Sequence, residues 1–361
     1  MKSDSEGFLA PSINQVTCVD CGICQKYCPQ NRDVKSLTPS SVYAFRYKVE
    51  DELYKSASGG AFVSIARYFI GNGGVVYGAA YVDADLHVAH IRVSNTDSLS
   101  QLQSSKYVQS NTLQTFMDVK KDLLAGFKVL YSGTPCQIAG LKVFLKKDFD
   151  KLLTVDLICH GVPSPLLFEK YIQWLSNKIS KVEAYNFRDK SRGWGLSFKA
   201  NSKKKVFKNK GVLDPYYFHF LEGNTYRECC YECRYCRKER VGDITIGDYW
   251  GIEKEHPDFF SAKGVSCVLV NTPKGKIAFN EVKEKQYCID SSFDQVALHN
   301  GNLLHSTKRN EIRNQIYTGI KDKPVGKFFN ENMAYPRPLA AKIKAIIPLK
   351  IIMIIKRLLL L

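Results

Sequence analysis

Apolar residues recur along the chain with two periods. Ala61, Phe62, Ile65, Ala66 and Phe69 fall at helical spacing ahead of Gly73-Gly74, so the pattern predicts a helix over 58–70 with a glycine stop. The unbroken run at 75–82 reads as a strand. A helix over 113–124 stops at Gly126, and a strand at 128–131 runs through Gly133-Thr134-Pro135 into a helix that ends at Leu145. A strand at 153–158 and a helix at 166–179 continue the alternation. Further on, 243–248 and 265–271 read as strands and 274–285 as a helix. Strands alternating with helices predict an α/β (mixed α+β) body with a sheet that is at least partly parallel.

Four stretches separate by composition. Residues 1–40 are poor in apolar side chains, 41–225 and 226–338 carry the alternating elements, and 339–361 is basic and aliphatic. A chain of 361 residues with 45% hydrophobic and 24% charged residues buries a sizeable core, which excludes wholesale disorder and collagen-like structure. The first sixteen residues hold acids and a proline but no apolar segment. No secretory signal is expected there, and a reducing, cytoplasmic setting is expected for the twelve cysteines.

Those cysteines are the candidate chemistry. Cys18, Cys21, Cys24 and Cys28, followed by Pro29, have the spacing C-x2-C-x2-C-x3-C-P of bacterial ferredoxins, in which a tight loop delivers thiolates to a 4Fe–4S cage. Structural zinc is the competing occupant, but it favours two separated pairs. A second triplet, Cys230, Cys233 and Cys236, repeats the spacing, with Arg240 where a fourth thiolate would stand. Two cages need eight ligands, and seven are local. The eighth comes from Cys229 or from a distant Cys136, Cys159, Cys267 or Cys288. Cys136 and Cys159 are favoured, because each follows a predicted strand at the end where α/β sheets collect ligands. With Cys159 assigned to the second cluster, Cys136 stays among the candidate catalytic groups. Cys229, Cys233 and Cys236 also fit the spacing of radical S-adenosylmethionine enzymes. That motif normally opens a long barrel, however, and only 125 residues come after Cys236.

Three loops suit a dinucleotide cofactor. Ser58-Gly59-Gly60 precedes a predicted helix, where backbone N–H groups favour a phosphate. Ser105-Lys106-Tyr107 offers a hydroxyl, a cation and an aromatic face. Gly133-Thr134-Pro135-Cys136-Gln137 lies between strand and helix. Ordinary turns explain each of them taken alone.

Together with Asp156-Leu157-Ile158-Cys159-His160-Gly161, Phe187-Arg188-Asp189-Lys190 and Gly242-Asp243-Ile244-Thr245-Ile246-Gly247-Asp248-Tyr249-Trp250-Gly251, these motifs resemble the beta-subunit family of coenzyme F-420 hydrogenases and dehydrogenases. That family includes the plant reductase of 7-hydroxymethyl chlorophyll a. The resemblance implies a ferredoxin-like iron–sulfur segment joined to an α/β flavin-binding body, with FAD, one or two 4Fe–4S clusters (two by the ligand count above) and reduction or oxidation of a small organic substrate or carrier. It also implies that many bacterial relatives lie near genes of surface-polysaccharide synthesis. A flavin bridges one-electron clusters and two-electron organic chemistry. Electrons would come from ferredoxin or a similar carrier, and Cys136, Asp156, His160 and Asp248 are the candidate proton or ring-nitrogen partners. The alternative is an electron-transfer subunit with no organic substrate of its own.

The formal charge of +17 is concentrated in two places. Lys199, Lys203, Lys204, Lys205, Lys208 and Lys210 succeed one another without an acid between them, as do Lys342, Lys344, Lys350, Lys356 and Arg357. The first run reads as a hairpin face, either simply solvated or docking an acidic carrier or anionic substrate. The second belongs to an expected C-terminal amphipathic helix, too short in its apolar run to span a bilayer and suited to peripheral contact with an anionic membrane. No nucleic-acid-binding motif accompanies the charge.

Overall fold

A computed structural model describes residues 1–336. Short strands β1 (Lys2–Ser3) and β2 (Leu9–Ala10) pair at the N-terminus. The chain then lays down β3 (Ser41–Arg46), β4 (Val75–Tyr81), β5 (Val88–Val93), β6 (Val129–Gly133) and β7 (Leu152–Leu157). It leaves to build a separate antiparallel sheet from β8 (Val182–Asn186), β9 (Ser197–Ser202) and β10 (Val206–Lys210). It returns with β11 (Ile244–Asp248), β12 (Ser266–Val270) and β13 (Tyr287–Ser291).

The main sheet has eight strands in the order β13-β3-β12-β11-β7-β6-β4-β5. β11, β7, β6 and β4 run parallel at its centre, and antiparallel strands flank them on both sides. The stretches 41–225 and 226–338 thus contribute to one sheet, with β3 seated between β12 and β13. The buried run of β6 and the Ser-Cys-Val-Leu-Val of β12 have the composition of strands covered on both faces.

Three strand-to-helix turns are spelled alike. Thr134-Pro135, Ser164-Pro165 and Thr272-Pro273 each place a hydroxyl at the N-cap and proline at the first helical position, where its missing N–H costs nothing. Helices Ala61–Gly71 and Pro273–Lys283 cover one face of the sheet through Ile65, Ala66 and Phe279. Helices Thr115–Leu124 and Pro135–Leu145 cover the other through Val119, Ile138 and Leu141. A second, aromatic-rich core joins the small sheet to helix Pro165–Ile179.

The predicted elements fall within a few residues of the observed ones. β3 and β5 carry no separate signal in the periodicity reading. The expected C-terminal helix, with its basic cluster and membrane contact, lies outside the described residues. Among the described residues no helix is long and apolar enough to cross a membrane.

Candidate functional site

The central strands β6, β7 and β11 are neighbours, and all end at the same edge of the sheet. Cys136 follows β6, Cys159 and His160 follow β7, and Asp248 closes β11. In open parallel sheets this carboxyl edge is where ligands bind. Gly161 comes next with φ +141°, and a Cβ there would lie 2.4 Å from the Tyr226 ring. Only glycine lets the chain turn away from β7 here while leaving Cys159 and His160 at the edge.

A buried ion pair closes one side of this edge. Arg188 donates to both carboxylate oxygens of Asp248 at 2.7 Å, and its remaining donors reach Tyr107 Oη (3.1 Å) and Gly195 O (3.0 Å). Trp194 Nε1 donates to Asp248 Oδ1 at 2.7 Å, and the Trp194 ring stacks on Trp250 with centroids 4.8 Å apart. Burial alone would raise the Asp248 carboxyl, but the Arg188 charge and these hydrogen bonds outweigh it and hold the pKa below the ordinary value. His160 feels both charges. Although His160 keeps exposed surface, desolvation at the sheet edge lowers its pKa, with Asp248 pulling the other way, so the imidazole is neutral near pH 7. The structure therefore brings His160 and Asp248 together with the Tyr107 loop.

The second cysteine group gathers around Cys159. That thiol lies within electrostatic range of Cys136, Cys230, Cys233 and Cys236, and Cys236 Sγ is 3.8 Å from Cys159 O. Burial raises Cys159 to about 12. The neighbouring Cys230 thiol holds Cys229 below the ordinary thiol range, and Cys236 does the same for Cys233. This convergence of soft thiols suits an iron–sulfur cage, which draws its ligands from several sides. Among the described residues no three Cys, His, Asp or Glu side chains stand together as a single-ion site.

The first group occupies a mostly irregular segment. Cys18, Cys21 and Cys24 are exposed and Cys28 is half-buried. Gly22 has φ +68° at the N-cap of the short helix Ile23–Lys26. The segment 29–37, directly after this loop, is bonded to the second group. Tyr235 Oη donates to Pro29 O (2.9 Å), Arg234 to Gln30 O (2.9 Å) and Arg237 to Ser36 Oγ (3.0 Å), while Leu37 and Arg240 exchange backbone hydrogen bonds. Two cysteine groups about 200 residues apart in sequence thus meet through Pro29 and Tyr235.

Asp156 requires a correction. As a candidate proton carrier it should face the edge, but it is fully buried within β7, 3.4 Å from Arg240 and bonded to Thr245. Arg240 donates to the carbonyls of Tyr235 (2.9 Å) and Leu157 (3.1 Å), tying the cysteine loop to β7. This pair is structural.

The cofactor loops are held largely by bonds within the chain. Ser58 Oγ donates to Val265 O (2.7 Å), and a Cβ on Gly59 would lie 2.3 Å from Phe45 O and Ser266 N, so this glycine is needed for packing against β3 and β12. Gly60 caps the following helix at φ +80°. Lys106 Nζ donates to the carbonyls of Gln101 (2.9 Å) and Gln103 (2.8 Å), and burial lowers it to about 7. Ser105 and Tyr107 are half-buried beside it, and Tyr107 stacks on Phe220 at 4.3 Å. Gly133 ends β6, and Thr134, Pro135 and Gln137 form a capping box with Pro at the first position. As a flavin site the fit is therefore uneven. Tyr107, Trp194 and Trp250 present half-buried aromatic faces at the edge, whereas the side chains of Ser58, Lys106, Thr134 and Gln137 are bonded within the chain and leave backbone groups to meet a phosphate.

Sequence reasoning assigned no role to Arg188, Trp194 or Lys190. Lys190 donates to the carbonyls of Leu53, Ser58 and Lys263 at 2.6–2.8 Å, and burial brings it to about 7. The available signal is the cluster of charges in Phe187-Arg188-Asp189-Lys190, which the resemblance includes as a motif without a role for each residue.

Residues 126–295 match the family model for the C-terminal part of the coenzyme F420 hydrogenase/dehydrogenase beta subunit. The family resemblance read from the motifs is borne out over that span. A search of the curated proteins finds no match. Among solved structures, a chain of the F420-reducing NiFe hydrogenase complex from Methanosarcina barkeri is similar, with 13% identity and a TM-score of 0.49; the similarity covers 82% of this chain and 90% of that one.

Proposed function

We propose that this chain, whose residues 126–295 belong to the coenzyme F420 hydrogenase/dehydrogenase beta-subunit family, is an iron–sulfur flavoprotein oxidoreductase. It takes electrons singly from ferredoxin or a similar carrier and passes them in pairs to a small organic substrate. Cys18, Cys21, Cys24 and Cys28 would hold one 4Fe–4S cluster, and Cys159, Cys230, Cys233 and Cys236 the other. FAD, when bound, supplies the exchange between one- and two-electron chemistry.

The observation that carries this reading is the meeting of Cys159-His160 with Asp248 at neighbouring strand ends, beside a cysteine triplet that is bonded through Tyr235 to the other cysteine loop. The residues of the chain divide the remaining work. Tyr107, Trp194 and Trp250 offer flat faces against which a ring system packs. Asp248, kept ionised by Arg188, fixes a negative charge at the edge. His160, neutral at the rim, can take a proton on one ring nitrogen and give one from the other. Cys136 is the second group there with a transferable proton.

Anaerobically purified protein tests this through iron and flavin analysis, and through absorption and EPR spectra taken oxidised and then dithionite-reduced. About eight irons and one FAD per chain are expected from the ligand count. Colourless protein carrying stoichiometric zinc would overturn the reading.

A further inference from the structure

The lysine run of the small sheet lies along one strand pair and its connecting turn. In the register of β9 and β10, Lys199 faces Lys208 directly, flanked by the pairs Asn201–Val206 and Ser197–Lys210. The opposite face is the packed one, where Phe198, Ala200 and Tyr185 are buried. Lys199 and Lys208 therefore share the outer face as a directly opposed like-charge pair, an arrangement that costs stability. Lys203, Lys204 and Lys205 extend the positive charge into the connecting turn, and all three are exposed. That turn is rigid, with Ser202 N bonded to Lys205 O (3.0 Å) and Lys205 N to Ser202 Oγ (3.1 Å). No acid occurs between Asp189 and Asp214. The neighbouring carboxylate on β8 is Glu183, 3.9 Å from Lys203 at the turn end.

The other end of this face reaches the candidate site. Lys199 pairs in register with Asn186 on β8, and Asn186 Oδ1 accepts from Ser104 Oγ at 2.8 Å. Ser104 opens the loop that carries Tyr107, and Arg188 holds Gly195 O just before β9. The positive face thus runs from an exposed turn to the rim of the redox edge.

We propose that the outer face of β9 and β10 docks a small acidic electron-carrier protein. The proposal rests on the redox reading above and names the surface that serves it. Five strand residues span roughly 15 Å, too far for one small anion to bridge and suited to a patch of carboxylates on a protein. The outer-face residues Ser197, Lys199, Asn201, Val206, Lys208 and Lys210 include no aromatic on which bases could stack, which argues against single-stranded nucleic acid. A site fed with single electrons needs repeated, brief encounters, and opposed charge accelerates these without tight binding.

The test uses the anaerobic holoprotein and, as probe, a reduced, strongly acidic two-cluster ferredoxin mixed in a stopped-flow instrument. The triple variant Lys204→Glu, Lys205→Glu and Lys208→Glu changes only exposed side chains. Its iron content and Tm should match those of the wild type, and reduced methyl viologen should reduce both proteins at similar rates. With the ferredoxin, the wild-type second-order rate should fall steeply as salt is added. At low salt the variant should react roughly 10- to 100-fold more slowly, with a flattened salt dependence. Equal rates for the two proteins, or a wild-type rate indifferent to salt, would overturn the docking surface. Iron and flavin counts taken beforehand test the redox reading separately.

Discussion

Asp248 can be a proton carrier or a fixed anchor, and substitution with asparagine separates the two. The side chain of Arg188 is 1% exposed and that of Asp248 16%, so each charge is largely hidden from water and neutralised by the other. In Asp248→Asn the shape persists, but the new amide presents N–H groups to one of the two Arg188 donors. The charge on Arg188 then stays buried without a counter-ion. Removing one partner of a buried pair costs about 3–5 kcal/mol, and for a chain of this size roughly 2–4 °C of Tm is lost per kcal/mol. A fall of about 6–20 °C is therefore expected in calorimetry or near-UV circular dichroism. Arg188→Met should cost a similar amount, because it strands the carboxylate instead. The double variant decides the matter. If the two groups act on stability through each other, the combined loss should fall short of the sum of the single losses by at least about 2 kcal/mol. Because the folded pKa of Asp248 is depressed, its contribution is complete above the unfolded value of about 3.9 and is lost as pH falls through the lower folded value. The wild-type advantage over Asp248→Asn should hold from pH 7 to about pH 4 and shrink below it. Strict additivity of the two single variants would refute this account of the pair.

Two further substitutions probe the frame around the site. Gly161→Ala forces a methyl group into the Tyr226 ring at a left-handed φ. A loss of about 2–4 kcal/mol is expected, read as a lower Tm and as less cluster absorbance per chain, because Cys159 loses its position. Asp214, the N-cap of helix Pro215–Leu221, is raised to about 7 by burial, partly opposed by hydrogen bonds from Tyr217 N and Tyr171 Oη. Its stabilising contribution is complete below about pH 4 and is lost as pH rises through 7. Asp214→Asn, which stays neutral and keeps a capping oxygen, should therefore gain on the wild type in Tm between pH 5 and pH 8.

The features legible in the sequence were local. Ferredoxin-type spacing, glycine stops, hydroxyl–proline helix starts and buried apolar runs each lie within a dozen residues, and each describes a structure that closes over the same distance. The illegible ones depend on pairings across the chain. β3 takes its place only because β12 and β13, more than 200 residues later, flank it. Arg188 reads as one more charge until Asp248, 60 residues on, accepts both its hydrogen bonds. Asp156 and Asp248 look alike as acids near glycine and isoleucine. Their difference comes from depth along neighbouring strands, since Asp156 lies within β7, whereas Asp248 is the last residue of β11.

Arg240 shows how one apparent defect resolves. At the place where a ferredoxin motif would put its fourth cysteine, this chain has an arginine. The guanidinium grips the carbonyls of Tyr235 and Leu157 together and is neutralised by Asp156. Leu157 is the last residue of β7, two before Cys159. The residue that stands in for the missing thiolate therefore fastens the triplet loop to the strand that delivers Cys159. It does so from a backbone position that also pairs with Leu37, behind the other cysteine loop. One buried residue, through its side chain and its backbone, thus ties the segments beside both cysteine groups to the sheet edge. Arg240→Lys, which keeps the charge but loses the planar fork, should loosen the triplet without unfolding the sheet. The expected signature is proteolysis at 229–240 at native temperatures, with a Tm within a few degrees of wild type. Intact resistance in that segment would show that the cysteine loop is held by something other than Arg240.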